Sequence, residues 1–277
     1  MQPQPQIVQA QEDILQKTVG TGARIDYMLE MIRMNLRNSD ITAAREWTDK
    51  AGSELSKGGD WERKNKLNVY RGVIYLFRRD FKAASDLFIK SLATFTPCDL
   101  LTFRDFVFYT VITSLVSQDR VVIKTKILES PEILSVVSEV PFLYAVVIGL
   151  YECRYKEFLE NFTSLIDEIK VDGFLNKHLG YITKNLRMIA YKQFMMAYRS
   201  ITLHSMAQTF GVTMEFLEAD VSDFIRAGKL SCKIDKLNQY IETNRLEDRR
   251  NPIYSSVVRQ GDLLLNRVQN LSRVIDV

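Results

Sequence analysis

Apolar side chains recur along this chain at helical spacing from residue 24 onward. Ile25, Met28, Leu29, Ile32 and Leu36 follow i, i+3, i+4 steps, one stripe of an amphipathic helix. Asn38-Ser39-Asp40 interrupts the stripe and supplies an N-cap for a second helix over 41–55. A loop, Lys57-Gly58-Gly59-Asp60, precedes a third helix over 61–79 with Asp60 as its cap. A tight turn at Asp80 leads into a fourth helix over 81–95. Two successive helical hairpins of about 40 residues each predict a repeat solenoid.

The second hairpin resembles the tetratricopeptide pattern. Gly72, Tyr75, Ala84 and Phe88 stand at its spacing, and Pro97 follows near the end of the unit. Gly72 and Ala84 would let two helix backbones approach, with Tyr75 and Phe88 filling the gap between them. Further helices are predicted over 99–117, 120–129, 131–138, 141–153 and 156–170, with Pro131 and Pro141 in first turns. A long helix over 176–199 follows.

At Ser200 the pattern changes. A β-prone triplet, 200–202, precedes a helix over 203–210 and a turn, Gly211-Val212-Thr213, with Thr213 as the next cap. A helix over 214–227 turns Phe216, Leu217, Val221, Phe224 and Ile225 inward and ends at Gly228. Residues 231–235 alternate, with Cys232 and Ile234 on one face, and can pair with 239–243 through Lys236-Leu237-Asn238. Helix, turn, helix and β-hairpin in this order predict a winged-helix domain. Beyond a polar stretch, 244–251, a last helix carries Ile253, Val257, Leu264, Val268, Leu271 and Ile275 as a heptad seam, interrupted at Gln260 and Gly261. Such a seam packs either on its own domain or on other chains, and periodicity does not choose between them.

The fold class is therefore mainly α. A flexible tail over 1–23 leads into a right-handed solenoid of tetratricopeptide-like helical repeats over 24–175. A winged-helix domain with its leading helix follows over 176–250, then a C-terminal helix over 251–277. Composition agrees with a packed chain: 277 residues, 46% apolar and 26% charged. A net charge of +3, from 37 basic and 34 acidic residues, argues against a protein held to nucleic acid by its overall charge. Cys98, Cys153 and Cys232 lie far apart, as free buried thiols of a reducing compartment do. The apolar run 140–151 is too short to span a bilayer, and residues 1–11 lack a signal-peptide pattern. A soluble protein of cytoplasm and nucleus is expected, with no membrane partner and with charge weighing against nucleic acid as one.

Candidate chemistry is sparse. Gly20-Thr21-Gly22 follows no strand, so it is no phosphate loop. Cys153 falls in a segment read as buried helix, and no histidine stands near it to activate a nucleophile. His178 reads as a packing or capping residue and His204 as a surface one. No catalytic residue, cofactor or metal ligand is assigned. The helix over 214–227, which would enter a DNA groove, carries Glu215, Glu218, Asp220 and Asp223 against Arg226 alone, a charge that phosphates repel.

Helical repeats running into a winged helix resemble the PCI module shared by scaffold subunits of the proteasome lid, the COP9 signalosome and translation initiation factor three. Specific words resemble one subunit family of the proteasome lid. They are Gly58-Gly59-Asp60-Trp61, Arg79-Asp80-Phe81-Lys82, Leu150-Tyr151-Glu152-Cys153-Arg154-Tyr155, Tyr198-Arg199-Ser200, Met206-Ala207-x-x-Phe210-Gly211-Val212, Cys232-Lys233-Ile234-Asp235-Lys236 and the run from Gly261 to Gln269. The resemblance covers roughly residues 17–277, and the family's further N-terminal repeats have a Gln/Pro tail in their place. It implies a non-catalytic scaffold in ubiquitin-dependent proteolysis, and the alternative readings are a COP9 signalosome PCI subunit or a nucleic-acid-binding winged-helix protein. Its partners would be other PCI subunits of the lid and the deubiquitinating subunit. It also implies joining through winged-helix edges, here the hairpin with Ile234 and Ile241, and through gathered C-terminal helices, here the seam from Ile253 to Ile275.

Overall fold

The computed structural model describes residues 14–15, 17–58, 60–96, 100–243 and 247–275. One compact unit ends at Leu186 and a second begins at Arg187, later than the boundary at 176 read from the sequence. The first unit holds α1 (Thr21–Arg37), α2 (Ile41–Gly58), α3 (Trp61–Phe77), α4 (Phe81–Ser91), α5 (Phe103–Ser117), α6 (Arg120–Ile123), α7 (Pro131–Val136), α8 (Pro141–Tyr151) and α9 (Tyr155–Val171). α10 (Leu179–Met195) carries the division between the units.

Three antiparallel hairpins, α1–α2, α3–α4 and α8–α9, close through the same turn. In each, a residue near φ −80° and ψ 0° (Asn38, Arg78, Glu152) is followed by a left-handed one. The left-handed residues are Ser39, Arg79 and Cys153, with φ 58°, 62° and 64°. The next N–H reaches back to a carbonyl five residues earlier: Asp40 to Asn35 at 2.9 Å, Asp80 to Tyr75 at 3.0 Å and Arg154 to Gly149 at 2.8 Å. This is the Schellman closure, which satisfies carbonyls the helix end would leave bare. Asp40 and Asp80 then cap the following helices, accepting from the Ala43 and Ala83 N–H groups at 3.2 Å each. Cys153 is thus an exposed turn residue and not a buried helical one, which corrects the sequence reading.

Close approach inside the hairpins depends on two glycines. A Cβ on Gly72 would lie 2.4 Å from Cε1 of Phe88, and one on Gly149 would lie 3.1 Å from Cα of Phe158. The two approaches fall at different distances from the turn, Gly72 seven residues before Arg79 and Gly149 four before Cys153.

α5 is apolar all round and buried from Phe106 to Leu115. The Phe106 ring stacks on Phe95 at 4.2 Å and meets Phe88 edge-on at 5.5 Å. Its hydroxyls are satisfied internally: Thr110 and Ser114 donate to carbonyls one turn back, and Ser114 also meets Ser85 at 2.8 Å. The helix starts at Phe103 and not at Asp99, because Thr102 caps it by accepting from the Asp105 N–H; Asp99 itself lies outside the described residues. The predicted helix over 120–129 continues from α6 as a π-helical segment, Lys124–Leu128. The predicted long helix over 176–199 is a single 3-10 turn, Asn176–His178, followed by α10. Asp172 organises that entry by accepting from the Phe174 and Leu175 N–H groups.

His178 is buried at 5% exposure and its Nδ1 accepts from Arg79 Nε at 3.2 Å. Burial first, and then the charges of Arg79 and Lys177, hold its pKa below the ordinary histidine value. The folded state therefore binds fewer protons than the unfolded chain. Stability is full above about pH 6.5 and declines as pH falls towards the folded value. The melting temperature is expected to fall between pH 7 and pH 5, and His178→Gln, which keeps an acceptor for Arg79, is expected to flatten that fall. Circular dichroism melts at a series of pH values check this; an equal decline in the variant assigns it to other groups.

Candidate assembly surfaces

The second unit is built around Tyr191, a fully buried ring on α10. Phe210 meets it edge-on at 4.9 Å and Phe224 at 6.2 Å. These rings come from α11 (Leu203–Phe210) and α12 (Met214–Arg226), the two helices the apolar pattern predicts. Thr202 and Thr213 cap them through their hydroxyls, accepting from the Ser205 and Phe216 N–H groups. Gly211 at φ 67° turns one helix into the next. Phe216, expected inward, is 43% exposed, with the Arg187 guanidinium 5.3 Å from its ring centre.

β1 (Ser200–Thr202), β2 (Cys232–Asp235) and β3 (Tyr240–Thr243) form one antiparallel sheet in the order β1-β3-β2. Ile241 pairs with Ile201 on one side and Ile234 on the other. It is fully buried on the central strand, so it offers no edge. The hairpin edge expected from the sequence therefore reduces to β2, where Ile234 is half-buried. Asp235 closes the turn by accepting from the Leu237 and Asn238 N–H groups and from the Asn238 amide. Those bonds, the Asn238 side chain foremost, hold its carboxyl below the usual range. Burial pushes the Cys232 thiol up to about 11, far from a nucleophile's range.

The outer face of α12 presents Glu215 and Asp223 to solvent, while Asp220 pairs with Arg187 at 3.3 Å and Glu218 with Lys236 at 2.6 Å. Among the described residues no group of three His, Cys, Asp or Glu side chains could hold a metal. An apolar hollow in the first unit, between Val111, Ile133 and Val147, measures about 10 Å³, no larger than one water. No helix among the described residues is long and apolar enough to cross a membrane.

The C-terminal helix, α13 (Glu247–Ile275), begins inside the polar stretch 244–251 that precedes the helix expected from the sequence. Its 29 residues extend about 44 Å. The described side chains start at Ile253, and every seam residue is open to solvent: Ile253 at 62%, Leu264 at 61%, Leu271 at 60% and Ile275 at 77%, with Val257 and Val268 alike. Sequence reasoning missed the width of this surface. Tyr254, Val258, Leu263, Leu265 and Val274 are also exposed. At about 100° per residue Tyr254, Val258 and Leu265 widen the seam on one side to roughly 140° of the circumference, while Leu263 and Val274 lie on the other side beyond Gln260 and Arg267. The polar residues Ser255, Arg259, Asp262, Asn266, Gln269 and Arg273 lie on the opposite side of the helix. A helical-wheel count, in place of a heptad search, finds these residues. A two-stranded seam needs only the a and d positions, so the wider surface suits a helix with more than one neighbour. Soluble monomers rarely leave an apolar stripe running the length of such a helix uncovered.

Three family profiles match the chain: 26S proteasome subunit RPN7 over residues 7–126, the PCI domain over 162–245, and the 26S proteasome regulatory subunit RPN7/PSMD6 C-terminal helix over 254–275. The 26S proteasome non-ATPase regulatory subunit 6 of Oryza sativa subsp. japonica is 44% identical over 261 residues, 94% of this chain and 67% of the relative. The 26S proteasome regulatory subunit RPN7 of Saccharomyces cerevisiae is 35% identical over 268 residues, 94% of this chain and 62% of the relative. COP9 signalosome complex subunit 1b of Drosophila melanogaster is more distant, 22% identical over 245 residues, 86% of this chain and 46% of the relative.

Proposed function

The chain belongs to the 26S proteasome regulatory subunit RPN7 family, and from that premise we propose that it is a non-catalytic scaffold subunit of the regulatory-particle lid. It supports ubiquitin-dependent degradation by holding other PCI subunits together and placing the deubiquitinating subunit, in cytoplasm and nucleus. One observation carries the reading: the exposed apolar surface of α13. A helix that long and that apolar is stable in water only when something covers it. The profile named for the RPN7/PSMD6 C-terminal helix matches this chain over 254–275. The open β2 edge is a second place where a neighbour can add a strand. The closer identity to the proteasome relatives than to the signalosome subunit favours the lid.

Affinity purification of the full chain from its own cells, followed by mass spectrometry, tests this. Lid subunits and proteasome ATPases are expected in the eluate. Signalosome subunits in their place would move the chain to that assembly, and chromatin or ribosomal proteins would overturn the scaffold reading.

A further inference from the structure

The first unit brings two cations together without a carboxylate between them. Lys177 Nζ lies 5.3 Å from the Phe77 ring centre and donates to Ser39 Oγ at 3.4 Å, at the turn of the first hairpin. Arg79, at the turn of the second hairpin, spends its Nε on the neutral acceptor His178 Nδ1. That bond fixes the guanidinium plane and leaves its terminal N–H fork undirected. The ring of His178 is itself held edge-on by Phe81 at 6.0 Å, and Phe81 stacks on the exposed Tyr181 at 5.3 Å. The carboxylates of the neighbouring turns are committed elsewhere. Asp40 and Asp80 cap helices, and Asp172 accepts from Tyr109 and two backbone N–H groups. Among the described residues, neither Arg79 nor Lys177 forms an ion pair.

We propose that this turn cluster docks a carboxylate-rich segment of a partner chain, with the Arg79 fork taking one carboxylate and the Lys177 ammonium supplying the second charge. Both cations are exposed, and both are oriented by neutral neighbours. An arriving carboxylate therefore displaces no internal anion and meets a planar fork of matching geometry. A phosphate group fits less well. Phosphate sites draw on free N–H groups at a helix N-terminus, and here Asp80 already occupies the one offered by α4 and brings its own negative charge. Nucleic acid fits less well again, since two cations release few counterions. The inference uses only residues of the first unit and does not depend on how α13 is covered.

The test is fluorescence anisotropy of a labelled octaglutamate peptide titrated with the full chain, at about 50 mM and about 300 mM salt. Saturable binding is expected, weakened by salt. Arg79→Gly, which suits the positive φ at that position, and Lys177→Ala are each expected to weaken it about tenfold, and the double variant to abolish it. Arg45→Ala, on α2 beside Asp49, is expected to change nothing. Circular dichroism confirms that each variant is folded. Binding no tighter than that of octaglutamine, binding retained by the double variant, or tighter binding of oligouridylate lost in the same variants would each overturn the proposal.

Discussion

Replacing Leu264, Val268, Leu271 and Ile275 together by serine is expected to abolish entry of the chain into regulatory-particle assemblies while leaving both of its units folded. Each of these side chains is worth roughly 1.5–3 kcal/mol when buried. Four of them sum to about 6–12 kcal/mol, enough to weaken an interface by four orders of magnitude or more. The same substitutions remove nothing from the isolated chain, where all four are open to solvent. Its melting temperature is therefore expected to move by no more than a few degrees, since each exposed change stays within about 0.5 kcal/mol and none lies in a packed core. Co-expression with lid subunits and native mass spectrometry reads the first effect, and a thermal scan reads the second. A large drop in the melting temperature would place the seam in the chain's own core.

The largest effect on the fold itself is expected from Gly72→Ala. Alanine gains about 1 kcal/mol over glycine in a helix interior. Here that gain is outweighed, because the new Cβ arrives 2.4 Å from the Phe88 ring. Phe88 is fully buried against Phe106 and cannot swing aside without disturbing α5. A net loss of about 1–3 kcal/mol follows, or some 2–12 °C in the melting temperature of a unit of this size. Phe88→Leu in the same chain is expected to recover part of the loss, because the shorter side chain vacates the ring edge. A double-mutant cycle measures that coupling, and strict additivity would show that the two residues do not meet.

The hairpins were readable because their signals are local. Period 3.6 in the first helix, the acids Asp40 and Asp80 ahead of the next helices, and the small-large pair Gly72 and Phe88 each sit within one turn or one hairpin. Cys153 was misread for the same reason. The chain enters a left-handed turn there without the glycine that usually announces one, and the apolar run before it looks continuous. Only the match to Ser39 and Arg79, visible once the turns are compared, gives the position away. Ile241 was placed on an edge because hairpin pairing is local, whereas its second neighbour, Ile201, arrives from forty residues earlier in sequence. The Arg79 and His178 contact joins positions 99 apart, and no periodicity encodes it. At the C-terminus the charged start of α13 lacks the apolar period that marks a helix, and a single heptad seam leaves out the apolar flank with Tyr254, Val258 and Leu265.

The most direct measurement is amide hydrogen exchange across residues 253–275, taken on the isolated chain and on the chain within a purified regulatory particle. A helix covered only by its partners exchanges quickly when alone, since an isolated helix is marginal in water, and is protected by orders of magnitude in the assembly. That pair of results is the one expected here. Strong protection already present in the isolated chain, or none gained in the assembly, would contradict the account.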